Sequence, residues 1–473
     1  MEMLQQAVEV ESLPYVFQDA ITIARRLGIY YLWIDSLCIK QDEDLRDWKV
    51  ESESMGRIYA SACLNISATW SVNLGDNLLG KRTCVTMAAS PIEIDMGNLT
   101  RTYYAFDGDL WSDEFDFGPL NYRGWVFQER YLARRVVHFG QSQMAWECKE
   151  GRALEMFPDG LPRLLGQHPK FECTWATVQL TSQQPAQSKV LEFARDWQNL
   201  LENYCRCDFS FPRDKLMALK GISTQIAMNR PGDFYLAGAW KSTVLFDLSW
   251  HRHESERKEY PIANTYERAP SWSWASVDGS VQFPLAQETL SNLLERYAEV
   301  EGLAGHGIVI DDKFVTTGTI RLRASCIPLN LQLSEDNDIT GFHGAGFQFS
   351  TTKGPFRSAI YFECTNEVLF SLSRSGKLLL IPLFSTSHSI YGIIVQKVRG
   401  VGEHRRVGAV RITLMAITGD LQEPGGNNDI MEMDLDHRIS HMDHFSEKWS
   451  ISAIIFSHYL TQQKPGSRCI NIS

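Results

Sequence analysis

Apolar residues recur at helical spacing early in the chain. Val16, Ala20, Ile23/Ala24 and Leu27 share one face of a helix running from Pro14 to Leu27. Pro14 suits a first-turn position and Gly28 the left-handed residue that stops the helix. The pattern then changes. Ile29-Tyr30-Tyr31-Leu32-Trp33-Ile34 is continuously apolar, aromatic and β-branched, which predicts a strand buried on both faces. A second helix follows, with Asp44 as N-cap and Asp47 in the first turn. Trp48, Glu51, Met55 and Ile58 fall on one of its faces. Cys63 to Ser67 reads as a short strand. Helix, strand, helix, strand with short connections predicts parallel strands joined by right-handed crossovers. Residues 71 to 118 read as loops with short strands such as Ile92-Glu93-Ile94. Arg123 to Leu132 reads as a short helix. Arg135–Phe139 and Gln143–Cys148 read as a hairpin around Gly140-Gln141.

Residues 155 to 190 look like a connection, with Pro158, Pro162, Pro169 and Ser182-Gln183-Gln184-Pro185. Helical patterns return over Val190–Tyr204 and Lys215–Met228, with Pro212-Arg213-Asp214 as the turn between them. Trp272 and Trp274 alternate with small residues and predict a strand, followed by a turn at Asp278-Gly279. Beyond Ile308, β-like runs dominate: Ile320–Ala324, Leu378–Phe384, Ile390–Lys397 and Arg411–Ala416.

A chain of 473 residues exceeds the usual size of one core, so two domains are the default. The net charge of -11 argues against broad nucleic-acid binding or attachment to an anionic membrane. The ten cysteines are scattered, without a C-x-x-C pair, and read as reduced thiols of a cytoplasmic protein. No signal segment or apolar run of spanning length stands out.

Candidate chemistry gathers in the first third. Asp35, Ser36, Cys38 and Gln41 sit at the carboxyl end of the expected strand, where open α/β sheets bind ligands. The alternative is that Asp35 and Ser36 satisfy loop backbone groups. Glu51 lies inside the apolar stripe of the second helix, where a carboxylate is costly unless paired or used. Its alternative is an ion pair with Arg82 or Arg123. Glu53 projects to another, solvated face, and His138 reads as structural. His437, His441 and His444 share helical spacing near Asp434, Asp436 and Asp443, but the segment reads as a solvated surface rather than a metal site. Gly341-x-x-Gly344-x-Gly346 lacks dinucleotide-fingerprint spacing, and no nucleophile elbow is present.

Three segments together resemble the fungal heterokaryon-incompatibility (HET) domain. The first runs from Leu13-Pro14 through Asp19-Ala20 and Leu27-Gly28 to Trp33-Ile34-Asp35-Ser36-Leu37-Cys38-Ile39 and Gln41. The second is Asp47-Trp48, Glu51, Met55, Ile58-Tyr59 and Ala62, running into Ile66-Ser67-Ala68. The third is Arg123-Gly124-Trp125, Gln128-Glu129, Leu132 and Arg135, closing with Trp146-Glu147-Cys148. The resemblance implies a role in non-self recognition and regulated cell death. Family members usually begin with a further strand upstream of Pro14, in whose place this sequence has Met3 to Glu11.

HET domains are in turn remotely similar to TIR domains, some of which cleave NAD at the nicotinamide–ribose bond. That likeness implies Glu51, three residues after Trp48, as the catalytic carboxylate. Asp35, Ser36, Cys38, Gln41, Trp48, Arg123, Gln128 and Glu129 would line the substrate site. NAD enters as substrate, and no cofactor or metal is called for. The competing reading is a non-enzymatic signalling module, or an inactive paralogue, acting through self-association or other incompatibility proteins, without nucleic acid or membrane. The expected architecture is α/β, a TIR/flavodoxin-like open parallel sheet lacking its first strand. A mixed α+β, largely β C-terminal domain follows. The expected boundaries are residues 1–155, a linker 156–190, and 191–473.

Overall fold

Amphipathic helices at Tyr15–Arg26 (α1) and Arg46–Ser61 (α3) flank a one-turn helix, Asp35–Cys38 (α2), in a computed structural model of the chain. It describes residues 8–40, 46–71, 73, 75–80, 90–97, 99–162, 187–252, 268–287, 293–310, 313–333, 339–344, 347–350, 358–362, 378–386, 389–398, 403–413 and 468–472. Asp44, Gln41, Arg82 and the His437–His444 segment lie outside them. Two units form, one of Met1–Pro185 with Asn203–Gly232, the other of Ala186–Glu202 with Asp233–Ser473.

In the first unit Pro14 caps α1, and Gly28 adopts φ 68° just past its end, a conformation that favours glycine. After α3 come β1 (Asn65–Ser67) and an exposed hairpin of β2 (Ser90–Asp95) and β3 (Thr100–Ala105). Then follow α4 (Gly124–Leu132), β4 (Arg135–Phe139), β5 (Met144–Cys148) and β6 (Gly151–Leu154). The sheet order is β1-β4-β5-β6. β1 pairs parallel to β4, and the other two pairings are antiparallel. The unit is completed by the last turn of α5 (Gln187–Cys205), short turns over Pro212–Leu219, and α6 (Lys220–Met228). The sequence boundary at 155 leaves out this returning stretch.

The strand expected at Ile29–Ile34 does not form. The segment is extended, with Ile34 at φ -130° and ψ 121°, but no described strand offers it a hydrogen-bond ladder. Tyr30 and Tyr31 are 93% and 92% exposed. An apolar run supplies burial energy only when neighbours cover it, and a strand needs a partner for its backbone groups.

The second unit is largely β. Short pairs β7 (Tyr235–Leu236) with β8 (Ala239–Trp240), and β9 (His251–Arg252) with β10 (Val281–Gln282), accompany the single turn α7 (Val244–Asp247). A nine-stranded sheet runs in the order β11 (Leu293–Arg296), β19 (Leu378–Thr386), β20 (Ser389–Lys397), β21 (Glu403–Thr413), β22 (Arg468–Ile472), β13 (Lys313–Ala324), β12 (Ala298–Ile310). β14 (Ile327–Pro328) joins β19 and β18 (Ser358–Phe362) joins β21, while β15 (Asn330–Leu333), β16 (Ile339–Gly344) and β17 (Phe347–Ser350) form a separate sheet. Buried Phe246, Trp272, Leu322, Ile381, Phe384 and Ile393 belong to its core.

Trp272 and Trp274 do not form the expected strand. Ser273 caps a short 3-10 turn at Trp274–Ser276, and both indoles are buried. Their N–H groups donate to Gly318 O at 3.0 Å and Gly238 O at 3.0 Å. Indole packing and hydrogen bonding, not strand pairing, explain the alternation.

Candidate functional site

Tyr59 and Glu129 meet where α3 packs on α4. Trp48 on α3 and Trp125 on α4 stand edge to face, with ring centroids 5.8 Å apart. A second close approach ties α3 to α6. A Cβ on Gly56 would lie 2.9 Å from the Gly221 Cα, and a Cβ on Gly221 would lie 2.5 Å from Gln128 Oε1. Gln128 is buried and accepts the Gly221 N–H at 2.6 Å. α3, α4 and α6 are therefore held against one another by backbone contact and one buried amide.

Four side chains converge beside this packing. Tyr59 comes from the C-terminal half of α3 and Glu129 from α4. Asp35 opens α2, and Arg123 is the residue before α4. The Tyr59 hydroxyl donates to the Glu129 carboxylate. Trp33 stands edge to face on Tyr59, with centroids 5.6 Å apart. Glu129 and Tyr59 are half-buried, while Asp35 and Arg123 are exposed, so the cluster runs from the interior outward.

Burial pushes the Glu129 carboxyl up to about 7. The Tyr59 hydrogen bond and Arg123 oppose that rise, and the Asp35 charge adds to it. The Tyr59 phenol is pushed far up, first by burial and then by Glu129. At neutral pH the site thus holds a phenol that keeps its proton and a carboxyl that exchanges one readily. A carboxylate and a guanidinium lie close enough for their charges to act on both. Such a set can donate and accept protons and bind an anion.

The other expected residues are placed as follows. Glu51 is half-buried on α3 and, among the described residues, has no hydrogen-bond or ion-pair partner, so the expected pair with Arg123 is not made. Ser36 and Cys38 are exposed on the α2 turn, where the Ser36 N–H donates to Asp35 Oδ1 at 2.7 Å. Trp48 packs on Trp125, whose indole donates to Asp214 Oδ2 at 3.2 Å. Gln128 is engaged with α6. Glu53 is exposed and paired to Lys220 at 2.6 Å. Gln41 lies outside the described residues. Tyr59 was not singled out by sequence as a site residue, although its place four residues after Met55 on the same helix face was a signal.

A second polar cluster lies inside the same unit. Glu147 and His138 are fully buried. Arg130 binds Glu147 at 2.8 and 3.1 Å and Asp116 at 2.8 Å. Arg152 binds Glu147 at 3.0 Å. His138 Nε2 lies 3.1 Å from Glu147, and its Nδ1 lies 3.0 Å from the Thr69 hydroxyl. Burial pushes Glu147 up, but the Arg130 charge, the His138 charge and the hydrogen bonds from both together hold the carboxyl well below its usual range. Burial keeps His138 below its ordinary value. Its nitrogens are both engaged and no part of it reaches solvent, so the network is structural, consistent with the sequence reading of His138.

No helix among the described residues is long and apolar enough to cross a membrane, and no metal-ligating cluster is present among them. No curated protein and no solved structure matches the chain. Residues 2–129 match the family model described as heterokaryon incompatibility protein (HET). Asp35, Tyr59, Arg123 and Glu129 all fall within that match, so the site lies in the region similar to the HET family.

Proposed function

We propose that the N-terminal domain serves non-self recognition and regulated cell death by hydrolysing NAD at the nicotinamide–ribose bond, in the manner of a TIR-like domain. The observation that carries this reading is the convergence of Tyr59, Glu129, Asp35 and Arg123 at one surface-reaching cluster. The exposed Arg123 takes a pyrophosphate oxygen. The Asp35 carboxylate faces the positive charge that develops on the ribose as its bond to nicotinamide stretches. The bonding pair leaves with the nicotinamide nitrogen, a water oxygen adds at the ribose carbon, and the water's proton passes to Glu129. Glu51, on the same helix as Tyr59, orients the ribose hydroxyls.

The test is NAD loss catalysed by the purified full chain, with Glu129→Gln and Glu51→Gln beside it. Loss of turnover by at least about 100-fold in Glu129→Gln supports the base assignment. Loss only in Glu51→Gln moves the catalytic role to Glu51. No turnover by folded wild type, tested across concentrations that permit self-association, sinks the enzymatic reading. The signalling module then takes its place. One observation favours that second reading: the extended, exposed Tyr30-Tyr31-Leu32 run is an apolar edge suited to association with incompatibility partners or another copy.

A further inference from the structure

Asp247 closes the single turn α7 and is 2% exposed. A carboxylate so deep is costly without a cation beside it, and Asp247 has none as a partner among the described residues. Its two oxygens meet neutral groups. The Gln198 amide of α5 donates to Oδ1 at 3.0 Å, and the Thr243 hydroxyl lies 2.8 Å from Oδ2.

The hydrogen count points to a neutral acid. Thr243 Oγ1 also lies 3.5 Å from the Trp240 carbonyl, and one hydroxyl proton does not serve two acceptors well. With a proton on Oδ2, every contact is satisfied at once. Gln198 then donates to Oδ1, Asp247 donates to Thr243, and Thr243 donates to the Trp240 carbonyl. An ionised Asp247 takes the threonine proton instead, and the Trp240 carbonyl loses that donor. Burial acts in the same direction and pushes the carboxyl up to about 7. The Asp233 charge adds to the rise, while the hydrogen bonds from Gln198, Thr243 and the Trp240 backbone oppose it.

The surrounding charged groups are engaged elsewhere, acidic or exposed. On α5, Arg195 pairs with Asp196 at 3.6 Å, and Glu202 accepts the Phe283 N–H at 2.6 Å. β8 and β19 pack on α7 and carry no charged residue. The charged side chains described on β12 are Glu299 and Glu301. Asp233 accepts the Ser242 hydroxyl at 2.6 Å, Lys241 is exposed, and Arg296 lies over the Phe246 ring.

A strained turn adjoins this cluster. Between β7 and β8, Ala237 adopts φ 48°, a left-handed conformation unfavourable for a residue with a Cβ, and Gly238 follows at φ 89°. The indole of Trp197, the residue before Gln198, donates to the Gly238 carbonyl at 3.1 Å. Trp197 also stands edge to face on Trp240, with centroids 6.0 Å apart. α5 thus holds the turn through Trp197 and is itself held through Gln198.

We propose that Asp247 is a proton-operated latch in the second unit: as a neutral acid it fastens α5 to the α7 turn, and its ionisation loosens α5 together with the strained turn that Trp197 holds. The latch lies outside the Tyr59–Glu129 cluster and does not rest on its chemistry. Hydrogen exchange of the full chain from pH 5 to 9 tests it, read by mass spectrometry over residues 187–202 and 235–250 and corrected for the intrinsic rate. The opened form has an ordinary carboxyl at 3.8 and the closed form a raised one, so protection is greatest on the acid side and is lost as pH rises. In wild type it is expected to fall about tenfold per pH unit and to level off above about 7. Asp247→Asn reproduces the hydrogen bonds of the neutral acid, so its protection should stay flat, near the acid-side value of wild type. Asp247→Ser, which also cannot titrate, should be flat but less protected, and it reads the site where the Asn variant folds poorly. Glu129→Gln should keep the wild-type slope. Protection that does not change with pH in wild type overturns the proposal. So does a wild-type slope retained in either folded Asp247 variant, or one abolished by Glu129→Gln.

Discussion

Glu129 shows what a single residue gains from its surroundings. A carboxyl at about 7 is half protonated near neutrality, so in its proposed role of general base it acts only in its ionised form. NAD turnover is therefore expected to rise with pH through about 7 and level off above it; a flat profile from pH 5 to 9 would remove Glu129 from the rate-determining proton transfer. Its raised pKa also has a stability consequence. The folded state holds that proton more tightly than the unfolded chain, so Glu129 contributes stability below its ordinary 4.5 that is lost as pH rises through about 7. His138 and Glu147 act in the opposite sense. Both are depressed, so their contributions are present above their ordinary values of 6.5 and 4.5 and are lost as pH falls. His138→Gln, whose amide can still bond Thr69 and Glu147, is expected to flatten the acid side of a urea-midpoint profile just below pH 6.5. An unchanged profile would show that His138 is protonated equally in both states. These roles were only partly legible in the sequence. His138 read as structural, but its partners Thr69 and Glu147, and the Arg130 and Asp116 that extend the network, come from separate elements, and spacing along one strand does not reveal them.

At the scale of elements, periodicity was a good guide where a helix has one clear face. α1, α3, α4 and the β4–β5 hairpin lie close to where their patterns place them. It failed at Ile29–Ile34 and at Trp272–Trp274, because an apolar run states a need for burial and not the means of meeting it. The α3–α4–α6 junction was not visible at all. Gly56 and Gly221 look like weak points in helices until their backbones are seen to touch. Gly221→Ala is expected to cost about 1–3 kcal/mol, the range for overpacking a close contact. It would also disturb the Gln128 bond. A urea midpoint equal to wild type would mean that the helices separate freely and that the contact does not position Tyr59 against Glu129.

For the whole molecule, the chain leaves the first unit and returns to it. Asn203–Gly232 belongs with Met1–Pro185 and supplies Tyr204 against Phe127, Asp214 to Trp125, and Gly221 to Gln128. A fragment of residues 1–185 is thus expected to lose cooperative unfolding and near-ultraviolet circular dichroism that the full chain retains. A fragment that unfolds as sharply as the full chain would show that the returning segment is dispensable. The sequence by itself determined the helices with a single apolar face, the β-rich character of the second unit and the supply of charged residues around the HET motifs, because each is written in local spacing and composition. Only the tertiary structure decided which carboxylate is tuned. Glu51 carries the apolar-stripe signal but finds no partner among the described residues, whereas Glu129 owes its raised proton affinity to burial and to the Asp35 charge, restrained by Tyr59 on another helix and by Arg123. Burial and electrostatic neighbours are sums over elements brought together by packing, and no spacing within one element encodes them.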